Sequence, residues 1–248
     1  MGMGGAATVR IDKYLTLQGL GTRNGVRALL RAGRVSVDGA PVADAGHQLS
    51  EETARVTLDG EALAYRDSMH IMLNKPSGYL TASRDARHKT VMELLPKAAW
   101  AMGCMPIGRL DIDTEGLLLF TTDGHLAYRL LAPKRLVEKE YIAHVDAPLG
   151  EADVAAFAEG MALSDFTALP AALRILPDGL SARVTVHEGK FHQIKRMFEA
   201  CGKKVLRLTR VAFAGIPLDE ALALGGWREL TAQELSMLYA AVGGASDA

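Results

Sequence analysis

The apolar positions of residues 10–42 predict two short helices followed by a β-hairpin. Two sets of apolar residues each follow the spacing of one helix face: Ile11, Tyr14, Leu15 and Leu17, then Val26, Leu29 and Leu30. The stretch "GLGT" (19–22) separates the two sets, and Thr22 is a favourable N-cap for the second helix. The stretch "RVSVDGAPV" (34–42) then alternates and turns at Asp38-Gly39, which is a strong hairpin signal.

Beyond residue 68 the pattern changes to one in which strands outnumber helices. The predicted strands lie in residues 70–80 (strand, turn, strand), 117–121, 138–149, 180–189 and 204–218. The predicted helices lie in residues 90–95, 150–161 and 190–204. Because no regular β-α-β rhythm is present, we expect an α+β fold with a mixed, mainly antiparallel sheet. The change in pattern predicts two domains, residues 9–67 and 68–242, and the acidic residues 50–67 predict a surface strand pair and a linker.

Length and composition limit the class of protein. The 248 residues, of which 49% are hydrophobic, suffice for one large domain or two ordinary ones. No apolar run approaches the ~20 residues of a membrane span, and "MGMGGAATVR" lacks the order of a secretory signal. Cys104 and Cys201 match no metal-binding spacing. We therefore expect a cytoplasmic protein with reduced thiols, no membrane association and no metal.

The net charge of −1 means that any RNA-binding surface must come from local concentrations of basic residues. Arg23, Arg27 and Arg31 form one such row, at i, i+4 and i+8 of the second predicted helix. Like charges at this spacing destabilise a helix by a few tenths of a kcal/mol per pair. The row is either a solvated face or a phosphate-binding face, and the energetic cost favours phosphate binding.

A second concentration of basic residues lies in residues 190–210. Ile194, Met197, Phe198 and Cys201 follow the spacing of an inward helix face. The opposite face carries His192, Lys195 and Arg196, and the following strand carries Arg207 and Arg210.

The stretch "GRLDIDTEGLLLFTTDG" (108–124) places Asp111, Asp113 and Glu115 directly before an apolar run. A calcium loop is one interpretation, but Thr122 stands where an EF-hand requires a bidentate glutamate. A pair of acid/base carboxylates is the second, since Asp111 and Asp113 would lie ~6–7 Å apart in an extended segment. A single catalytic aspartate with two bystanders is the third.

Residues 9–67 resemble the small RNA-binding domain named after ribosomal protein S4. The matching features are "RIDKYL", the arginine helix and "GRVSVDGAPV". The resemblance implies that RNA is bound by Arg23, Arg27, Arg31 and Arg34.

The remainder of the chain resembles the pseudouridine synthases, and in particular their small-subunit ribosomal branch. Four motifs carry the resemblance: "LNKPSGYL" (73–80), "GRLDIDTEGLLLFTTDG" (108–124), "EKEY" (138–141) and "EGKFHQIKRMF" (188–198). The pair His192-Gln193 favours the small-subunit branch over the large-subunit branch.

The family resemblance also implies roles for individual residues. The implied catalytic residues are Asp111, Tyr141 and Lys195. The implied substrate-binding residues are Arg109, Lys75, His192 and Arg196. Asp113 and Glu115 lie where the family does not require acids. A cation such as Lys195 near the catalytic aspartate would favour its ionised form.

The implied reaction is the isomerisation of one uridine in small-subunit (16S) ribosomal RNA, which needs no cofactor and no metal. The implied partner is ribosomal RNA within an assembling small subunit, and we expect the enzyme to be a monomer. Two alternatives remain, namely a synthase for large-subunit RNA and a non-catalytic assembly factor that binds ribosomal RNA.

Overall fold

The computed structural model of the chain describes residues 8–50, 53–63, 66 and 68–243. These residues form two compact units. The first consists of the residues up to Met69 together with Leu95–Cys104, and the second consists of His70–Leu94 and the residues from Met105 onward. None of the helices in the described part of the chain has the length and hydrophobicity that a membrane span requires.

The first unit combines short helices with a small sheet. Its helices are α1 (Ile11–Leu17), α2 (Arg23–Arg31) and α3 (Lys97–Ala101). Its strands are β1 (Thr8–Arg10), β2 (Val35–Val37), β3 (Ala40–Pro41), β4 (Gln48–Ser50), β5 (Val56–Leu58) and β6 (Glu61–Leu63). An antiparallel sheet has the order β3-β2-β5-β6, and β1 pairs separately with β4.

Local sequence accounts for much of the first unit. The side chain of Thr22 accepts a hydrogen bond from the amide of Gly25 at 3.3 Å and so caps α2. Asp38 and Gly39 both have positive φ, 51° and 83°, as a two-residue type I′ hairpin requires. The two predicted helices and the hairpin are therefore confirmed. The predicted strand pair is β5 and β6, whereas residues 51, 52, 64, 65 and 67 lie outside the described residues.

The second unit is built on one large sheet. Its helices are α4 (Gly124–Leu131), α5 (Glu151–Glu159), α6 (Gln193–Ala200) and α7 (Ala232–Ala241), with short 3₁₀ turns at Val91–Leu94 and Pro133–Arg135. Its first strands are β7 (His70–Lys75), β8 (Met105–Pro106), β9 (Glu115–Thr121), β10 (Lys139–Val145), β11 (Met161–Ala162) and β12 (Thr167–Ala168). The later strands are β13 (Ala172–Ile175), β14 (Ser181–Val186), β15 (Val205–Phe213), β16 (Ile216–Pro217) and β17 (Trp227–Glu229).

The large sheet has the strand order β13-β14-β10-β15-β9-β7-β17, with β8 paired to β9 and β16 paired to β15. The β9–β15 pair is parallel, and the other pairs of this sheet are antiparallel. The predicted α+β class with a mixed, mainly antiparallel sheet is therefore confirmed. The apolar run of residues 116–121 is buried throughout, as a strand at the centre of a covered sheet requires.

The predicted second strand of residues 70–80 does not form. After β7 the chain turns at Pro76, which has no amide hydrogen to donate to a sheet. The amide of Gly78 donates instead to the carbonyl oxygen of Ile112 at 2.7 Å. Leu80 makes only an isolated bridge to Thr90. This segment therefore packs on the loop before β9 and does not extend the sheet.

Gly116 marks a close approach of β9 to β15. Its φ is +97°, and a Cβ atom built on it would lie only 2.2 Å from the carbonyl oxygen of Arg210 and 2.9 Å from the amide nitrogen of Arg210. Contacts this short would force the two strands apart. Glycine is therefore required here both for its backbone conformation and for the space that it leaves.

We predict that Gly116→Ala will strongly destabilise the second unit, by about 4 kcal/mol or more, because strain and overlap act together. The matched control is Gly225→Ala, since Gly225 has a φ of +81° and no atom within 4 Å of the added Cβ. This control carries the strain alone and should cost about 1–2 kcal/mol. Urea unfolding of both variants would measure the difference, and equal losses would show that the close approach is unimportant.

Candidate active site

The candidate catalytic loop, residues 107–114, connects β8 to β9 and carries Asp111. Its backbone is bound by the side chain of Lys75, which is the last residue of β7. The ammonium group of Lys75 donates hydrogen bonds to the carbonyl oxygens of Pro76, Ile112 and Thr114 at 3.1, 3.2 and 2.7 Å. The loop is thus fixed by a buried cation that binds main-chain oxygens.

A second anchor of the loop is Thr81. Its hydroxyl donates to the carbonyl oxygen of Leu110 at 2.8 Å, and it accepts from the amide of Leu110 at 3.2 Å. Within the loop, the amide of Thr114 donates to the carbonyl oxygen of Asp111 at 3.2 Å. These bonds hold Asp111 on a rigid turn.

The burial of Lys75 changes the role that the family resemblance implies for it. The side chain has no exposed surface, so it does not meet a substrate in this structure. We propose a positioning role for Lys75 in place of the predicted substrate contact. Burial lowers the pKa of Lys75 from 10.5 to about 8, although the charges of Asp113 and Asp111 act in the opposite direction.

Lys195, in the first turn of α6, joins the two aspartates of the loop. Its ammonium group lies 3.0 Å from Oδ2 of Asp111 and 2.6 Å from Oδ1 of Asp113. Burial would lower the pKa of Lys195, but the hydrogen bonds that it donates to Asp113 and Asp111 outweigh this effect and raise the pKa. Burial likewise acts to raise the pKa of Asp113, but Lys195 lowers it overall.

Asp113 shares the ammonium group of Lys195 with Asp111, and its role as a bystander to the chemistry stays a prediction. Glu115 is engaged elsewhere, because its Oε2 lies 2.8 Å from the guanidinium of Arg207. In this structure the ammonium of Lys195 bonds to both carboxylates that a calcium loop would use. In the described residues no group of three or more His, Cys, Asp or Glu side chains is arranged to hold a metal ion.

His192 forms another part of the wall around Asp111. It precedes α6 with a left-handed backbone (φ 52°), and its Nε2 lies 3.7 Å from Oδ1 of Asp111. Its ring stacks on Phe191 with 3.8 Å between the ring centroids. The imidazole thus lies beside the catalytic loop, and its contact with the substrate stays a prediction.

Tyr141, on β10, faces Asp111 across a pocket of about 80 Å³ that is also lined by Arg109 and His192. Only 8% of Tyr141 is exposed. Lys195 reaches Asp111 from outside this pocket, at a separate depression that it lines with Asp113. The structure thus brings together four of the predicted residues around one pocket, and Lys195 contacts the carboxylate of one of them.

Arg196 is not part of this group. Its guanidinium pairs with Asp165, donates to the hydroxyl of Ser164 at 2.9 Å and lies 4.8 Å from the ring centroid of Phe166. Only 18% of its side chain is exposed. The predicted substrate contact by Arg196 is therefore not supported, because adjacent residues on α6 point in different directions and Lys195 takes the side facing the loop.

Two basic residues that were not among the predicted site residues lie beside the pocket. Arg210 is directly opposite Tyr141 in the β10–β15 register, is 2% exposed, and donates from Nε to the carbonyl oxygen of Leu117 at 2.7 Å. Lys139 precedes Tyr141 by two positions and therefore shares its strand face. The alternation of side chains along a strand is visible in the sequence and could have indicated Lys139. The position of Arg210 could not be found in this way, because it depends on which strands pair.

The predicted RNA-binding arginines lie on the surface of the first unit. Arg23, Arg27 and Arg31 are all exposed on α2. The guanidinium of Arg27 is 3.8 Å from Asp12, while Arg23 and Arg31 have no ion pair with any described residue. Arg34 is different, because its Nε donates to Asp59 at 2.9 Å and its guanidinium is paired with that carboxylate.

Comparison with known proteins adds to this geometry. A family model described as "RNA pseudouridylate synthase" matches residues 69–200. The chain belongs to the RNA pseudouridine synthase family. An S4 domain model also matches residues 9–54 of the synthase. The predicted combination of an S4 domain and a pseudouridine synthase domain is confirmed, and so is the enzyme class: the chain is an RNA-binding isomerase that converts uridine to pseudouridine.

Individual relatives align over nearly the whole synthase. It is 40% identical to the "Uncharacterized RNA pseudouridine synthase YtzG" of Bacillus subtilis (strain 168), over 93% of this chain and 98% of the relative. It is 38% identical to the "Ribosomal small subunit pseudouridine synthase A" of Salmonella typhimurium, over 92% of this chain and 99% of the relative. A solved structure titled "Crystal structure of pseudouridylate synthase" matches with a TM-score of 0.65 and 33% identity, covering 93% of this chain and 99% of that one.

The lowered pKa of Lys75 predicts a dependence of stability on pH. Between about pH 8 and 10.5 the unfolded synthase binds more protons at this side chain than the folded synthase does. The free energy of unfolding of the parent should therefore rise with pH in this window relative to that of Lys75→Met. Urea unfolding of both proteins at three pH values from 7.5 to 9.5 would measure it, and a constant difference would contradict the buried-cation assignment.

The exposed arginine row predicts the salt dependence of RNA binding. Replacing Arg23, Arg27 and Arg31 by Gln should weaken RNA binding and reduce the slope of log affinity against log salt by roughly two to three. Arg34→Gln is the matched control, and it should change the slope less because Asp59 already neutralises this guanidinium. A salt titration of affinity measures both, and an unchanged slope in the triple variant would exclude phosphate binding by this face.

Proposed function

We propose that this synthase isomerises a specific uridine in small-subunit (16S) ribosomal RNA, and that Asp111 is its single catalytic carboxylate. The observation that carries the proposal is the pocket in which Asp111 faces Tyr141 while Lys195 binds the same carboxylate at 3.0 Å. We assign RNA binding to residues 9–67 and isomerisation to residues 68–242.

The reaction conserves every atom of the nucleotide. The bond from ribose C1′ to uracil N1 breaks, the ring turns, and a bond from C1′ to C5 forms. The proton on C5 is lost and N1 gains one. Asp111 acts either as nucleophile at C1′ or as base at the adjacent ribose carbon, and both roles require an ionised carboxylate. The ammonium of Lys195 donates a hydrogen bond to this carboxylate at 3.0 Å and so holds it in place.

Tyr141 and the pocket walls serve the uracil ring during this turn. The target nucleotide must leave the RNA stack to reach Asp111, and an aromatic side chain is suited to hold an extruded base. Arg109 and His192 line the same pocket as Asp111, where they can bind the nucleotide. The low exposure of Tyr141 keeps solvent from the reacting sugar.

The choice of small-subunit RNA rests on two supports. The synthase carries His192-Gln193, the pair that favours the small-subunit branch. It also aligns over nearly its full length with relatives named for the small ribosomal subunit, among them the proteins of Salmonella typhimurium and Escherichia coli. The substrate of this chain is proposed to be ribosomal RNA in an assembling small subunit.

Incubation of the purified enzyme with small- and large-subunit RNA, each naked or partly assembled, should yield pseudouridine only in small-subunit RNA. Chemical mapping of pseudouridine is the measurement. Conversion confined to large-subunit RNA would show that the enzyme is a synthase for large-subunit RNA. RNA binding without conversion would favour a non-catalytic assembly factor.

The aspartate variants are measured in the same assay. Asp111→Asn should slow conversion by at least about a thousandfold while RNA affinity is kept, because the reacting group is lost. Asp113→Asn is the matched control, because it removes the other carboxylate charge that contacts Lys195. This variant should retain most of the parent rate. A chelator should leave the parent rate unchanged. An Asp111→Asn rate near that of the parent would refute the assignment.

A further inference from the structure

A larger cavity adjoins the catalytic pocket and has no role in the mechanism above. Its volume is about 420 Å³, and it shares Arg109 and Tyr141 with the catalytic pocket. Lys139 and Arg210 contribute charge to its lining, and Val137 and Phe213 contribute apolar surface. The cavity therefore combines a basic part with an apolar part directly beside the reacting nucleotide.

Neither Lys139 nor Arg210 is in direct ion-pair contact with a carboxylate of the described residues, although the charge of Glu188 acts to raise the pKa of Lys139. Glu188 also lines the cavity, but its Oε1 already accepts hydrogen bonds from Gln193 and from the amide of Leu169, both at 2.8 Å. No carboxylate of the described residues lies within ion-pair distance of Arg210. One terminal nitrogen of Arg210 is buried and has no hydrogen-bond partner among those residues. An unpaired buried charge is costly, so this arrangement favours an anion supplied from outside.

Lys139 is the second cation of this pair. Its ammonium group donates to the carbonyl oxygen of Val137 at 2.6 Å and lies 5.6 Å from the ring centroid of Phe213. Burial, together with the charge of Arg210, lowers its pKa to about 8. No carboxylate of the described residues is in contact with this ammonium group, which leaves further N–H donors for a ligand.

We propose that this cavity binds a phosphodiester group of the RNA adjacent to the target uridine, with Lys139 as its main contact and the flanking nucleotide against the apolar wall. RNA is the anionic substrate of the enzyme, and the shared wall of Arg109 and Tyr141 places the cavity next to the extruded nucleotide. Phosphate contacts of this kind set the register of the RNA without reading its sequence. The inference depends on the synthase activity and not on the choice of ribosomal subunit.

The test couples a protein change to a substrate change. The substrate is a fragment of whichever ribosomal RNA the enzyme converts, made with single neutral methylphosphonate groups at successive positions around the target uridine. The protein variants are Lys139→Met and the matched control Lys134→Met, which removes an exposed lysine outside the cavity. Thermal unfolding checks that each variant is folded. Arg210 is less suitable as a test because it also binds the backbone of Leu117.

Lys139→Met should weaken RNA binding by about tenfold, as expected for the loss of a charged hydrogen bond, and should lower the salt slope by about one. With the parent enzyme, a methylphosphonate at one position of the RNA should weaken binding by a similar factor. Combined with Lys139→Met, that same methylphosphonate should cause little additional loss, whereas combined with Lys134→Met it should keep its full effect.

Two results would overturn the proposal. Additive losses for Lys139→Met at every methylphosphonate position would show that no flanking phosphodiester contacts Lys139. Binding of inorganic phosphate to the parent, lost in Lys139→Met and accompanied by additive RNA losses, would show that the cavity takes free phosphate and not the RNA backbone.

Discussion

The close contact between Gly116 and the backbone of Arg210 is the constraint on which the candidate active site depends. β9 and β15 run parallel where Gly116 is paired with Arg210, and Arg210 is paired in turn with Tyr141 on β10. These three residues form a row across three neighbouring strands. The loop that carries Asp111 ends where β9 begins, so the row determines where the carboxylate stands relative to Tyr141. A side chain at position 116 would separate the strands and disturb this arrangement.

Electrostatic interactions then hold the loop in place at the end of the sheet. Lys75 binds the loop from its buried side through carbonyl oxygens, and Lys195 binds Asp111 and Asp113 from the other side. Burying an ammonium group is costly, which is why the pKa of Lys75 falls to about 8. Three hydrogen bonds to main-chain oxygens offset that cost. The two lysines have different consequences, because one shapes the backbone and the other pairs with the reacting carboxylate.

The near-neutral charge of the chain conceals an uneven distribution. On α2, Arg23 and Arg31 remain without acidic partners among the described residues, while Arg34 is neutralised by Asp59. In the second unit, Arg196 and Arg207 are paired with acids, but Lys139 and Arg210 have no acidic partner in the part of the chain that the structure describes. Basic residues whose charge is not paired with an acid are the ones available to RNA phosphates. The pairing of each residue, more than the number of basic residues, thus identifies the surfaces that can bind nucleic acid.

Local sequence was sufficient for elements whose cause is local. The N-cap at Thr22, the hairpin at Asp38-Gly39 and the buried run of residues 116–121 follow from neighbouring residues, because capping, turn geometry and hydrophobic periodicity act over a few positions. The family motifs likewise indicate Asp111, Tyr141 and Lys195 from the sequence. The strand predicted after Pro76 does not form, because the amide of Gly78 bonds to Ile112, a residue far along the chain that neighbouring residues cannot indicate.

The tertiary structure alone decided which charged side chains face one another. Burial of Lys75, the sharing of Lys195 by two aspartates and the diversion of Arg196 to Asp165 all depend on contacts between distant segments. The position of Arg210 beside Tyr141 depends on the register of β10 and β15. A sequence specifies residue types and local spacing, whereas these contacts are set by strand pairing and packing, and a shift of one residue in a strand would turn each side chain to the opposite face.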